Sequence, residues 1–582
     1  MNLGIIISTL SFIVTSYALQ NCPLLGPDFP PPKNLSSNPI FKNVAANFTN
    51  LLQEALRNGN MPAYGPLDNA NTSFSVSLFS VHEDEPIFEV HHTSPTTNSS
   101  SGVSAVDGDT VYRMGSLSKL LTVYLFLIED GDVHWNEPVT KFVPELAAAA
   151  AQERSNTRQQ QSILRVDWND VTIGALASQL ADIGRDYAAG DLAGTSTALV
   201  QDGLPPLDPT TFPSCLLNQS TPCSREDFFR GFVQRDAVLA PFTTPIYSNV
   251  AFQILGYALE NITGDSFQSM LEADLFKPLK LKRSSYSTPS NSSMGIIPID
   301  MTTSYWNANL GDESPTGGMS SSTNDLSAIG RSILNSSFLS DAQTRRWLKP
   351  HSHAASIMVS VGAPWEIRRI IQQPTERVTD LYTKSGDIGA YSCILVLAPD
   401  YDAGFVIMAA SSSGNSNSNV RVLADMIANT FLPSFEDIAK TEADIAFGGT
   451  YTSRSPNLNS SIILATDPIK PGLGMVKWIS NGTDMFPVAT VAFASSSDTI
   501  SIRMYPTNLR TSNEVAFRAV IDTSATTGDS GPFSHRCITW TTVDSIMYGG
   551  ASLDEFVFAL GMDSKAVSVN PKILRTTLEK VY

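Results

Sequence analysis

Ser116-Leu117-Ser118-Lys119 is the one Ser-x-x-Lys in the chain, and an almost continuous apolar run, 120–128, follows it. That run is expected to form a buried helix with Ser116 at its N-terminus. Residues three apart on a helix share a face, so Lys119 would lie beside the Ser116 hydroxyl. Near the positive end of a helix and partly out of water, a lysine is driven toward its neutral form. A neutral amine can take the hydroxyl proton and turn the serine into a nucleophile. Taken alone, the same four residues also fit a helix cap followed by a surface lysine.

Two further groups of residues follow in the order such chemistry would use. Tyr247-Ser248-Asn249 precedes an amphipathic stretch, 250–260, and Lys384-Ser385-Gly386 leads into a strand-like run, 391–398. A second Tyr-x-Asn, Tyr305-Trp306-Asn307, has no helical stretch after it, so Tyr247 is preferred. Ser-x-x-Lys, Tyr-x-Asn and Lys-Ser-Gly in this order resemble the three active-site elements of serine β-lactamases and penicillin-binding proteins. The Tyr-x-Asn form is similar to the class C branch and its esterase relatives. Tyr112-Arg113-Met114-Gly115 ahead of Ser116, the stretch 129–146, Val171-Thr172-Ile173 and Gly317-Gly318-Met319 extend the resemblance. It covers about residues 45 to 435, and the whole chain resembles fungal secreted β-lactamase-like proteins. One departure is clear: the family's His-Thr-Ser-Gly is replaced by Gln179-Leu180-Ala181-Asp182.

The resemblance implies a division of labour. Ser116 attacks a carbonyl carbon and becomes acylated, and Lys119 takes its proton. Tyr247 relays a proton to the leaving group, which a phenol does only where cations lower its pKa; Lys119 and Lys384 would supply that field. Asn249 orients Lys119 or a substrate carbonyl. Lys384 raises the positive potential and could meet a substrate carboxylate. Backbone N–H groups of Ser116 and Asp387 form the oxyanion hole beside Ser385, and Gly386 lets substrate approach the strand edge. Three function classes remain open: a hydrolase of an ester, lactone, amide or β-lactam; an acyltransferase with the same nucleophile; and a binding protein with a vestigial site. The Gln179–Asp182 departure and the polar stretch 147–165 would remodel the pocket rim, so a substrate unlike penicillin is expected.

The elements that must position these residues alternate in kind. Residues 19–44 read as an extended, Pro-rich lead-in, with a helical pattern over 43–58. Strict alternation over 73–78 predicts a half-buried strand, with 86–90 as its partner. An Ala-rich, then Gln-rich stretch, 147–161, reads as an exposed helical or disordered insertion. Helical patterns recur at 171–180, 225–233, 250–260 and 324–334, and strand patterns at 356–361, 391–398 and 404–410. The expectation is an α/β (α+β) domain over 45–435, which the resemblance specifies as an antiparallel sheet flanked by helices. Short β-like runs at 462–464, 488–493, 500–504, 515–521 and 537–542 predict a separate, smaller β-rich domain over 436–582.

Composition bounds the partners. The 582 residues carry a net charge of −18 with no basic cluster, which argues against nucleic acid. Residues 1–18 read as a signal peptide cleaved near Ala18, and no lipid-anchor signal is expected at the C-terminus. The expected location is therefore extracellular, without a stable membrane anchor. Ten sequons, at Asn34, Asn47, Asn71, Asn98, Asn218, Asn261, Asn291, Asn335, Asn459 and Asn481, are glycosylation candidates. Of five cysteines, Cys215 and Cys223 flank a polar loop and are the disulfide candidate, and Cys393 reads as a buried thiol. Cys22 and Cys537 could pair or not. No phosphate loop or dinucleotide fingerprint occurs, and adjacent His91-His92 face opposite ways on a strand, so neither cofactor nor metal is implied. Gly-Asp-Ser-Gly-Pro at 528–532 echoes trypsin-like proteases but lacks a glycine and the upstream His and Asp; it reads as a turn. The partner this leaves is a small-molecule acyl substrate.

Overall fold

The computed structural model describes residues 22–97, 100–155, 163–208, 210, 212–213, 215, 222–289, 291–493, 500–523, 537 and 539–582. The signal-peptide stretch, Asn98, Asn218 and the segment 528–532 lie outside them. The chain divides into two compact bodies. One comprises Pro31–Ile370 and Thr379–Ile438; the other comprises Ile371–Val378, Ala439–Tyr582 and the residues before Pro31.

The first body is built on a sheet of eight strands: β1 (Thr72–Ser80), β2 (Phe88–His92), β3 (Ser352–His353), β4 (Val359–Val361), β5 (Glu366–Gln372), β6 (Arg377–Ile388), β7 (Tyr391–Ala398) and β8 (Ala403–Ser411). They lie in the order β2-β1-β8-β7-β6-β5-β4-β3. Strand β7 is antiparallel to both β6 and β8, and β8 to β1. Strand β1 alternates as its sequence predicts, yet all nine of its residues are buried. Phe74, Val76 and Leu78 join the core under the helix Pro39–Asn58. The serine face is covered too: Ser75 Oγ lies 3.0 Å from Tyr112 Oη, and Ser327 donates to Ser77 across 3.2 Å from the helix Thr323–Leu334. Hydroxyls that pair with one another let a polar face go inside.

The lead-in is shorter than expected. Asn38 accepts from the Ile40 amide and Pro39 opens the helix Pro39–Asn58, so residues 39–44 are helical rather than extended. The Ala-rich stretch folds as the helix Pro144–Ser155, with Leu146 and Ala150 in the core; residues 156–162 are outside the described set. The pattern at 171–180 yields only Ile173–Ala177, because the chain turns left-handed at Gln179 (φ +63°). Cys215 and Cys223 form a disulfide, and Cys393 is a buried thiol on β7.

In the second body eight strands close on themselves. Ser461–Ala465, Gly449–Thr452, Leu578–Val581, Ala566–Pro571, Glu555–Leu560, Glu514–Thr523, Ile500–Arg510 and Leu473–Ser480 follow in sheet order, and the first and last pair again. Closure removes free strand edges. Phe447, Phe517 and Phe558 meet at centroid distances of 5.1 to 5.2 Å in its core. Cys22 and Cys537 are joined in this body. Two expected strands are not strands. The run 488–493 lies in the helix Met485–Phe493, started by Asp484 accepting from the Phe486 amide. A short apolar run does not distinguish helix from strand by periodicity. The described residues of 537–542 contain only the turn Thr539–Thr541. Among the described residues, no helix is long and apolar enough to cross a membrane.

Candidate active site

Ser116 sits on a tight turn, Gly115–Leu117, that runs straight into the helix Ser118–Glu129. Gly115 is left-handed (φ +51°), and a Cβ there would come within 2.5 Å of the Asp387 carbonyl oxygen. A Cβ on Gly386 would lie 2.5 Å from the Leu117 amide nitrogen and 2.9 Å from that of Ser116. The two glycines therefore let β6 press its backbone against the Ser116 turn. The Asp387 carboxylate is turned to other work, accepting from Ser392 (2.6 Å) and Asn417 (2.8 Å).

Lys119 is fully buried. Its Nζ lies 2.9 Å from Ser116 Oγ and donates to the Thr316 carbonyl across 2.8 Å. The short helix Ser314–Gly317 that presents this carbonyl is tied to the helix Ser118–Glu129 by Thr122 donating to the Pro315 carbonyl. Burial lowers the Lys119 pKa well below its ordinary value. The charge of Lys384 adds to the effect, and Asp186 and Glu366 oppose it.

Tyr247 stands among three basic side chains. Its ring centroid is 5.1 Å from Lys119 Nζ, 5.4 Å from Lys384 Nζ and 4.8 Å from the Arg185 guanidinium carbon. The loop that carries it is held by the departure segment. Ile246 N–H donates to the Gln179 carbonyl (2.9 Å) and Ser248 N–H to Gln179 Oε1 (2.7 Å). Ser248 Oγ donates to the Gly184 carbonyl and Asn249 N–H to that of Arg185. Gln179 and Asp182 are both left-handed without being glycines, a conformation kept only where surrounding bonds enforce it. The replacement of His-Thr-Ser-Gly thus supplies a frame for the tyrosine loop. Of the two roles expected of Asn249, orienting Lys119 or a substrate carbonyl, no hydrogen bond to Lys119 is seen: its amide donates to Asp186 Oδ1 across 2.7 Å. Burial, and then the Asp186 charge, push the Glu313 carboxyl up to about 7 against the pull of Lys119. Arg185 and Asp186 also border a cavity of about 820 Å³ that Phe212, Arg230 and Arg235 help to line.

Lys384 is equally buried but has a counter-ion. Its Nζ donates to Glu366 Oε1 (2.5 Å) and to the Ser385 carbonyl (2.8 Å). Glu366 Oε2 accepts from Ser385 Oγ (2.7 Å) and from Ser385 N–H (3.2 Å). Burial works against both charges. It is outweighed for Lys384, whose pKa is raised chiefly by Glu366, and for Glu366, whose pKa is lowered by Lys384 and Ser385.

Residues 75–429 match the family model described as Beta-lactamase. The chain belongs to the β-lactamase family. Residues 439–582 match a second model, described as a β-lactamase-like C-terminal domain. A β-lactamase-like protein from Arthroderma benhamiae is 27% identical over 601 residues, covering 96% of each chain. A probable hydrolase from a Phoma species is 26% identical, covering 73% of this chain and 69% of that one. The octameric penicillin-binding protein homologue from Pyrococcus abyssi is similar at a TM-score of 0.46 and 15% identity, covering 92% of this chain and 99% of that one.

In this β-lactamase family member, Ser116, Lys119, Tyr247, Lys384, Ser385, Gly386 and Asp387 meet in one place, and the Asn249 amide is bonded to Asp186. The Tyr305 carbonyl accepts from buried Arg113. Three members went unforeseen: Glu366, Asp186 and the cation of Arg185. Glu366 lies 18 residues before Lys384 and reaches it only through the β5–β6 pairing, which no motif announces. Of the described sequons Asn34, Asn47, Asn261, Asn291, Asn335, Asn459 and Asn481 are exposed, whereas Asn71 is half-buried and bonded to Asp68.

Proposed function

We propose that this protein is a secreted serine hydrolase that works through an acyl-enzyme on Ser116. The carrying observation is the buried amine of Lys119, 2.9 Å from Ser116 Oγ and shifted toward neutrality. Lys119 takes the hydroxyl proton as Ser116 Oγ bonds to the carbonyl carbon of an ester, lactone, amide or β-lactam. The oxyanion faces the backbone N–H groups of Ser116 and Asp387, a reading supported by the close approach of Gly386 to the Ser116 amide and of Asp387 to Gly115. When the intermediate collapses, Lys119 returns the proton through Tyr247 to the departing oxygen or nitrogen. Water then attacks the acyl carbon and gives its proton back along the same route, freeing the acid and Ser116. The two disulfides fit an oxidising, extracellular compartment.

Intact-mass labelling with a fluorophosphonate and, separately, with benzylpenicillin tests this reading. One adduct that vanishes in Ser116→Ala is the expected result. A folded protein that never takes up either reagent overturns it. Product analysis with an added alcohol separates hydrolysis from transfer: exclusive transfer product contradicts the hydrolase.

A further inference from the structure

Glu366 occupies the place a substrate carboxylate would take. All three donors that Lys384-Ser385 offers on this side, the ammonium, the hydroxyl and the Ser385 N–H, are bonded to its two carboxylate oxygens. Lys384 has 1% of its side chain exposed, so it has no free face to offer a second anion. Glu366 keeps 27% of its side chain exposed, so the surface left at this point is negative rather than positive. A ligand carboxylate arriving here meets a like charge and finds the ammonium, the hydroxyl and the Ser385 N–H already bonded to Glu366, and like-charge juxtaposition is costly in a partly dry site. The expectation that Lys384 receives a substrate carboxylate is replaced by an internal pair.

Building on the acyl-enzyme reading above, we propose that Glu366 is a specificity residue that selects neutral acyl donors, esters or lactones with no carboxylate beside the scissile bond, and rejects carboxylate-bearing ones. The Lys384–Glu366 pair still contributes the Lys384 charge to the field around Tyr247, 5.4 Å away. Chemistry and carboxylate recognition are thereby uncoupled on one lysine.

Two matched pairs of substrates test the proposal on the full-length protein: phenyl acetate against 3-carboxyphenyl acetate, and benzylpenicillin methyl ester against benzylpenicillin. Each kcat/KM is normalised to the rate of hydroxide hydrolysis. The neutral member is expected to lead by at least about tenfold in both pairs. Glu366→Gln should narrow that ratio about tenfold or more, through a gain on the charged members. Glu366→Asp, which keeps the charge, should retain the preference. Fluorophosphonate labelling of Ser116 in each variant reports whether its site is intact. Equal or better turnover of the charged members by the wild type overturns the proposal, whatever the variants do. So does a ratio unchanged in a Glu366→Gln protein that still labels. A wild type that neither labels nor turns over any member overturns the hydrolase reading, and the proposal with it. Labelling without a preference overturns the proposal alone.

Discussion

Lys119 and Lys384 both approach one tyrosine ring, 5.1 and 5.4 Å from its centroid, and both are buried. Burial alone would push both toward neutrality. They part because of what each touches. Lys119 meets a hydroxyl and a carbonyl, neither charged, and its pKa falls. Lys384 meets a carboxylate at 2.5 Å, and its pKa rises. Lys119 is pushed toward a neutral amine and Lys384 is held as a fixed positive charge, and that fixed charge adds to the shift at Lys119. A single glutamate on a neighbouring strand creates the asymmetry.

The sharpest way to break this pairing is to remove the base. Lys119→Met should cut Ser116 labelling and kcat/KM by about 10²–10⁴-fold, the usual range for a positioned general base. Lys119→Arg should not restore activity, because a guanidinium stays protonated. Removing the counter-ion comes next. Glu366→Ala leaves Lys384 charged and unpaired in the interior, and urea unfolding should show a loss of about 3–5 kcal/mol. The double variant Lys384→Met, Glu366→Leu should recover much of that stability while staying poorly active.

Proton linkage separates the two lysines by sign. The folded pKa of Lys119 lies below its ordinary 10.5, so between the two values only the unfolded chain holds that proton and stability rises with pH. Lys384 contributes stability below 10.5 that is lost as pH climbs through its raised folded value. Glu366 contributes stability above 4.5 that is lost as pH falls through its lowered value. Unfolding of wild type and Glu366→Gln from pH 3 to 6 should therefore converge at the acid end. The smallest effect belongs to Arg185, whose side chain is 63% exposed. Arg185→Gln should lower kcat by roughly two- to fivefold, the weight of one exposed cation–π contact.

The closeness of Ser116 to Lys119 and the place of the third motif were legible because each rests on local geometry. Ser116 and Lys119 are one helical turn apart, and Gly386 marks a close backbone approach that its missing Cβ permits. Asn249 was legible as a member but not as to its partner, because Asp186 comes from a loop 63 residues away. Glu366 was invisible for the same reason: strand pairing placed it, not spacing. In the fold, strand β1 showed its alternation but not its full burial, since a serine face covered by other hydroxyls carries the same pattern as one facing water. The helix Met485–Phe493 was mistaken for a strand because nine apolar-rich residues carry no period of their own.

The most direct test of the account is the pH dependence of Ser116 labelling by a fluorophosphonate, followed by intact mass in wild type and Lys119→Met. The account predicts a rate that rises with pH and levels off, with an apparent pKa well below 10.5, and a rise that is absent in Lys119→Met. A wild-type profile that Lys119→Met reproduces, in shape and in rate, would contradict it.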